Sequence, residues 1–268
     1  MTARSALFDL YGDHLAARGG RAPVAALVRL LAPLDIAAPA VRTAVSRMVR
    51  QGWLSPVRIA RAPGYELTPM AVRRLDETAA RIYRVRRSDW DGHWHLVVIP
   101  RQHDRSSRER WRNALCFFGY APLSECSWIS PRRSAELDAL LAAEGLRAER
   151  FAARHEGDSD AMVRRLWDLD GLSRCYERWL DQAKELISGL GEEPPDERAY
   201  AVRSRLVHGW RKFLFRDPAL PGALLPDGWP GTRAAELFEE ESGRLWPAAS
   251  RFVDVCLNPE GPHEYPDQ

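Results

Sequence analysis

Between Val41 and Arg50 the chain reads Val-Arg-Thr-Ala-Val-Ser-Arg-Met-Val-Arg. Arg42, Arg47 and Arg50 supply guanidinium groups, Thr43 and Ser46 supply hydroxyls, and no acid stands among them. Arginine can donate two parallel hydrogen bonds to O6 and N7 of guanine, and a hydroxyl reaches a base edge or a phosphate oxygen. The chemistry is recognition of a polyanion. The competing explanation is a solvated helix face, but such a face usually mixes acids with bases.

These side chains need a helix to present them. Val41, Val45, Met48 and Val49 form an apolar stripe on the other side of a helix that starts near Pro39, a good first-turn residue, and ends at Gly52. Two helices precede it. One carries Leu7, Leu10, Tyr11 and Leu15 and stops at Gly19-Gly20; the other follows Pro23 with Val24, Leu27, Val28 and Leu31 at helical spacing. After Gly52 the period changes. Val57 to Arg61, the turn pair Pro63-Gly64, and Tyr65-Glu66-Leu67 predict a hairpin. Thr68-Pro69 opens a fourth helix with Val72, Leu75, Ala79 and Ile82 on one face. Three helices and a basic-tipped hairpin make a winged helix-turn-helix, which places Arg58 and Arg61 beside the DNA backbone or minor groove. A protein-interaction module of the same shape is the alternative.

Charge points the same way. Residues 1–87 carry 15 arginines and 6 acids, a net +9, while the remainder carries −7. A basic first third joined to an acidic remainder is the footprint of a nucleic-acid-binding module attached to something else.

Three further groups of residues carry chemistry outside this first third. His208, Arg211 and Arg216 stand near Trp229 in the apolar stretch 218–231, and aromatic residues beside cations could hold an aromatic anion or a phosphorylated effector; ordinary ion pairs are the plainer reading. His93 and His95 share one face of a strand, half of a metal site at most, and hydrogen-bonded histidines are expected there instead. The four cysteines, Cys116, Cys126, Cys175 and Cys256, form no CxxC pair, which argues against a zinc site or a disulfide framework and for a reducing cytoplasm. Phosphate-loop, dinucleotide, zinc-protease and nucleophile-elbow motifs are missing, so no catalytic residue, cofactor or metal is expected. Neither a run of 18 apolar residues nor a secretory pattern at the N-terminus is present.

The middle of the chain alternates strand (94–99), helix (from Trp111), strand (121–129), helix (134–143) and strand (147–153), which predicts a ferredoxin-like α+β domain. The last third is helical, with long helices over 168–190, 200–215 and 232–257 and a loose tail after Pro259. The expected organisation is a winged helix over 1–88, a ferredoxin-like domain over 89–167 and a helical domain over 168–268 for effector binding or dimerisation.

The strings Val41 to Leu54, Tyr65 to Thr68 and Arg81 to Tyr83, with Leu206 to Pro221 and Leu224 to Gly231, resemble the PaaX family of bacterial transcriptional repressors. The resemblance covers about residues 5–257. It implies a winged helix, a central domain similar to the small CRISPR-associated endoribonucleases, and a helical C-terminal domain. It implies a homodimer that represses a catabolic operon for phenylacetate or related aromatics and leaves double-stranded operator DNA when an aryl-CoA such as phenylacetyl-CoA binds. It places DNA contacts on the helix with Arg42, Thr43, Ser46, Arg47 and Arg50. A metal-dependent nuclease is the alternative from the enzyme class. Those relatives need an aspartate at the end of the first strand, whereas here Val98-Ile99 runs into Pro100 and Arg101.

Overall fold

The computed structural model describes residues 1–82, 90–101 and 104–258, with backbone alone for 76–82. The described residues form two compact units. One draws on 1–82, Arg178–Lys212 and 234–258, the other on 90–101, 104–177 and Phe213–Arg233. The C-terminal third contributes to both. The expected boundary at 88/89 and the tail after Pro259 lie outside the described residues.

In the first unit, α1 (Ala3–Leu10) opens with a capping box between Thr2 and Ser5 and runs through a π-helical turn at Tyr11–Leu15 to Gly19, whose φ of 84° ends it. β1 (Arg21–Pro23), α2 (Val24–Leu31), α3 (Ala38–Arg50), β2 (Leu54–Ile59), β3 (Ala62–Leu67) and α4 (Pro69–Ile82) follow. The strands form an antiparallel sheet in the order β1-β3-β2. This is the expected winged helix-turn-helix, with local differences. The buried stripe of α2 is Ala26, Leu27, Leu30 and Leu31, leaving Val24 and Val28 half-buried. In α4, Ala71 and Leu75 are buried while Val72 is 40% exposed; the side chains of Ala79 and Ile82 lie outside the described residues.

The hairpin turn also differs from expectation. It falls at Ala60-Arg61, between Ile59 and Ala62 in register, with both residues at positive φ (46° and 68°). That is the sense of a two-residue hairpin turn suited to strand twist, built here without glycine or asparagine. Pro63 and Gly64 lie inside β3, where Gly64 stands opposite Pro23 of β1 and Pro63 opposite Arg58 of β2. A Cβ on Gly64 would stand 2.7 Å from Ile59 Cδ1 and 2.8 Å from the Ala22 carbonyl oxygen. Gly64 is there to admit the neighbouring backbone, not to turn the chain.

The same hydrophobic core takes in the C-terminal helices α9 (Asp196–Trp210) and α10 (Pro230–Leu257). Tyr200, Ala201, Ala249, Val253 and Cys256 are buried with Leu7, Tyr11, Leu27, Leu31, Val41 and Met48. Ion pairs reinforce it. Asp9 of α1 accepts from His208 Nδ1 (2.6 Å) and Arg211 Nη1 (2.7 Å), both of these side chains being less than one quarter exposed. One turn further, Asp13 accepts from both terminal nitrogens of Arg203, whose side chain is 6% exposed. Arg18 bonds Asp254, and Arg205 bonds Asp35 (2.8 Å). Buried charges need such partners; losing one member of a buried pair costs about 3–5 kcal/mol.

His14, 1% exposed, stacks on Trp246 at 5.0 Å with 5° between the rings. Burial first, then the nearby Arg203 and Arg18, push its pKa down to about 4 against the pull of Asp13.

The second unit contains β4 (Trp94–Val98), α5 (Arg105–Phe117), β5 (Ala121–Pro122), β6 (Ser127–Ser130), α6 (Ala135–Ala143), β7 (Glu149–Ala153) and α7 (Ser159–Leu166). Its antiparallel sheet has the order β5-β6-β4-β7, the ferredoxin-like arrangement. The single strand expected over 121–129 is two short strands joined by a turn at Leu123–Ser124, where backbone N–H groups donate to Ser127 O. Val97, Ile99, Trp111, Leu115, Trp128, Leu137 and Leu141 make its core.

Helix α8 (Leu169–Ile187) gives its first half to this unit and its second half to the other. The unusual C-terminal string is explained by packing within each unit. In the first, Trp210 stacks on Phe238 at 4.7 Å, and Gly209 leaves room for the Trp179 indole, which a Cβ would meet at 2.7 Å. In the second, the Tyr176 hydroxyl donates to Asp217, whose other oxygen accepts from the Ala219 N–H (2.7 Å); burial raises the Asp217 pKa. Gly119, at φ 85°, passes within 2.8 Å of the Pro218 oxygen, measured from where its Cβ would be.

Gly64→Ala should lower unfolding stability by about 1–3 kcal/mol, read from urea midpoints, because the Ala22 backbone cannot yield as a side chain can; an unchanged midpoint contradicts the close-approach role. The His14 pKa lies below its ordinary value of 6.5, so its stabilising contribution is full above pH 6.5 and is lost as pH falls towards 4. The loss should reach about 3 kcal/mol. His14→Gln should unfold less steeply with acid over that window; an identical acid slope contradicts it.

Candidate nucleic-acid interface

Helix α3 owes its place to burial of one side. Val41, Ala44, Val45 and Met48 are at most 6% exposed and recur at i, i+3, i+4 and i+7. Each such side chain withdrawn from water contributes about 1.5–3 kcal/mol for the larger residues. Its end is fixed as firmly. The Trp53 N–H bonds Met48 O (2.9 Å) and the Gly52 N–H bonds Val49 O (2.9 Å), with Gly52 at φ 73°: a Schellman closure. Trp53 then packs edge-on against Phe8 at 4.6 Å, with the Arg74 guanidinium over its ring.

Once that seam is buried, the helix period decides the rest. Arg42, Thr43, Ser46, Arg47 and Arg50 are all exposed. None of the three arginines makes an ion pair with a described carboxylate. The Thr43 hydroxyl donates to the Pro39 carbonyl (2.9 Å), so it meets a partner as an acceptor or through its methyl group. At the wing, Arg58 and Arg61 are exposed, and Arg58 Nη2 donates to the Arg61 carbonyl (2.8 Å), tying the tip together. Seven residues singled out by sequence thus lie in the winged helix, five on one face of α3 and two at the hairpin tip.

The residues considered for a small ligand do not gather within one unit. His208 and Arg211 belong to the first and are engaged by Asp9. Arg216 and Trp229 belong to the second, where Arg216 reaches Cys175 Sγ (3.4 Å) and Trp229, 9% exposed, packs on Tyr176. Sequence reasoning missed the partners Asp9 and Asp13. The signal available was two acids four residues apart, which a helix puts on one face.

His93 lies just before β4, near Asp91 (3.3 Å), and accepts from Arg154 Nε (3.3 Å); His95 is half-buried on the strand. Among the described residues no three His, Cys, Asp or Glu side chains cluster to hold a metal ion, and no helix is long and apolar enough to cross a membrane.

Comparison with known proteins places this geometry. Models of the PaaX-like protein, the PaaX protein central Cas2-like domain and the PaaX-like protein C-terminal domain match residues 2–71, 87–163 and 167–255. The transcriptional repressor PaaX of Escherichia coli K12 is 31% identical over 264 residues, 94% of this chain and 83% of its own length. Among solved structures, the uncharacterized protein Rv0674 from Mycobacterium tuberculosis superposes with a TM-score of 0.65 at 26% identity, covering 95% of this chain and 98% of that one. With three consecutive domain models and a full-length relative in agreement, this chain belongs to the PaaX family.

Proposed function

We propose that the protein is a DNA-binding transcriptional repressor of a catabolic operon, released from its operator by an aryl-CoA effector such as phenylacetyl-CoA. The observation that carries the DNA reading is the exposed, acid-free face of α3, held on a buried apolar seam in a winged helix-turn-helix. Arg42, Arg47 and Arg50 donate to base edges and phosphates from the major groove, Thr43 and Ser46 assist, and Arg58 and Arg61 follow the backbone beside the wing. The repressor name of the Escherichia coli relative supports the same reading.

In this reading three sequence segments divide the work: 1–88 for DNA, 89–167 as the central ferredoxin-like domain, and 168–268 for effector response or dimerisation. Two copies present their α3 helices about one DNA turn apart, roughly 34–36 Å, to a two-fold operator. The protein works in the cytoplasm and performs no catalysis. Arg216 and Trp229 remain candidates for effector contact on chemical grounds. His208 and Arg211 act instead by holding α9 to α1.

An effector acts only if it binds the DNA-free form better; a tenfold fall in DNA affinity takes about 1.4 kcal/mol of coupling. Selection of bound genomic fragments, with and without phenylacetyl-CoA, tests this. The expected result is a small set of fragments with a shared two-fold motif, lost when the thioester is added. Affinity for such a fragment should fall steeply with salt, with a log–log slope of about −0.9 per phosphate contacted. Failure to retain any fragment at low salt contradicts the proposal.

A further inference from the structure

Thr43 and Ser46 both carry a hydroxyl on the outward face of α3, and the structure uses the two differently. Thr43 stands in the middle of that face, with Pro39 and Ala40 one turn before it and Ser46 and Arg47 one turn after it, all exposed. The Thr43 hydroxyl donates to the Pro39 carbonyl oxygen at 2.9 Å, so its proton is already committed. Ser46 makes no hydrogen bond among the described residues and is free to donate. The first turn, Ala38-Pro39-Ala40, carries no polar side chain, and Ala37 before it supplies no capping bond. The outward face therefore has two ends. From Pro39 to Thr43 it is rich in methyl and methylene groups, and from Ser46 to Arg50 it is polar.

A recognition helix meets base edges chiefly through its N-terminal residues, and on α3 that is the apolar end. The one methyl group that a base presents in the major groove is the C5 methyl of thymine; the characteristic groups of the other bases are donors and acceptors. Guanine O6 or the cytosine amino group pressed against Pro39, Ala40 or Thr43 Cγ2 would lose its water and gain no partner, which is unfavourable. Turning the Thr43 hydroxyl outward would break its bond to Pro39 to form another of similar strength, for little net gain. Packing the Thr43 γ-methyl on a second methyl keeps that bond and withdraws apolar surface from water.

We propose that Thr43 reads thymine: with its hydroxyl held on the Pro39 carbonyl, its γ-methyl, flanked by Pro39 and Ala40, packs on the C5 methyl of one thymine in each half-site. Hydrogen-bond readout is left to Arg42, Ser46, Arg47 and Arg50. The inference rests on the DNA reading above and names a base that the operator carries. Thr43 is then a specificity contact, not a phosphate clamp.

The test uses the full-length protein and a genomic fragment selected as above, remade with its thymines replaced one position at a time by deoxyuridine. That change removes the C5 methyl and keeps every hydrogen-bonding atom of the base pair. Dissociation constants are measured by fluorescence anisotropy at one salt concentration for wild type, Thr43→Ser and Thr43→Val. Thr43 is exposed, so equal melting temperatures are expected. For wild type, deoxyuridine at one position in a half-site should weaken binding about fourfold, which is what burial of one methyl group contributes. Thr43→Ser keeps the hydroxyl and loses the methyl. It should bind the thymine fragment about fourfold more weakly and lose the discrimination at that position, so that the two changes together cost no more than either alone. Thr43→Val keeps a methyl and loses the hydroxyl; it should match wild type in affinity and in discrimination. The proposal is overturned if wild type is indifferent to every methyl, if Thr43→Ser discriminates as wild type does, or if Thr43→Val weakens binding tenfold or more. In those three cases tight binding of the thymine fragment by wild type leaves the DNA reading standing. Failure of wild type to retain any fragment sinks both.

Discussion

Helix α3 has to satisfy two environments at once. Val41, Ala44, Val45 and Met48 go to the core, and with 3.6 residues per turn that placement leaves Arg42, Thr43, Ser46, Arg47 and Arg50 no alternative but the outside. Turning the helix by a third would bury guanidinium groups without partners, at several kcal/mol for each ion. The arginine face is therefore as rigidly aimed as the core is packed. The Schellman closure at Gly52 and the Phe8–Trp53 contact keep the end of the helix from fraying.

The winged helix does not stand alone in its unit. α9 and α10 complete its core, and Asp9 and Asp13 accept hydrogen bonds from Arg203 and His208 of α9 and from Arg211 just past its end. Such pairs add little net stability over apolar packing but penalise misalignment heavily, so they fix the register of α1 against α9. In the repressor reading, a change that moves α9 is felt at α1 through Arg203, His208 and Arg211 rather than through a flexible linker. The π-helical turn at Tyr11–Leu15 is what brings Asp13 and His14 to that face.

Much of this was legible in the residues, because periodicity reports burial. The α3 stripe, the ends of α1 and α3, and the alternation of the central domain all follow from 3.6- and 2-residue periods. The rest was hidden for identifiable reasons. Pro63-Gly64 looked like a turn because that pair commonly is one, yet the glycine serves an approach by β1, a three-residue strand too short to show a pattern. The turn itself uses Ala60-Arg61, whose types carry no positive-φ signal. The hairpin of β5 and β6 read as one strand because its turn is brief. His208 and Arg211 looked like ligand cations because Asp9, their partner, lies some 200 residues away in sequence.

The claim on which the functional account turns is that the outward face of α3 grips DNA. The most direct measurement is the dissociation constant for a selected operator fragment, by fluorescence anisotropy at one fixed salt concentration, of wild type and of Arg42→Ala/Arg47→Ala with matched thermal unfolding. The account predicts a rise of at least a hundredfold, about 2.8 kcal/mol, from two lost arginine contacts worth about 1–3 kcal/mol each. An affinity equal to wild type in a protein that melts at the same temperature would contradict it.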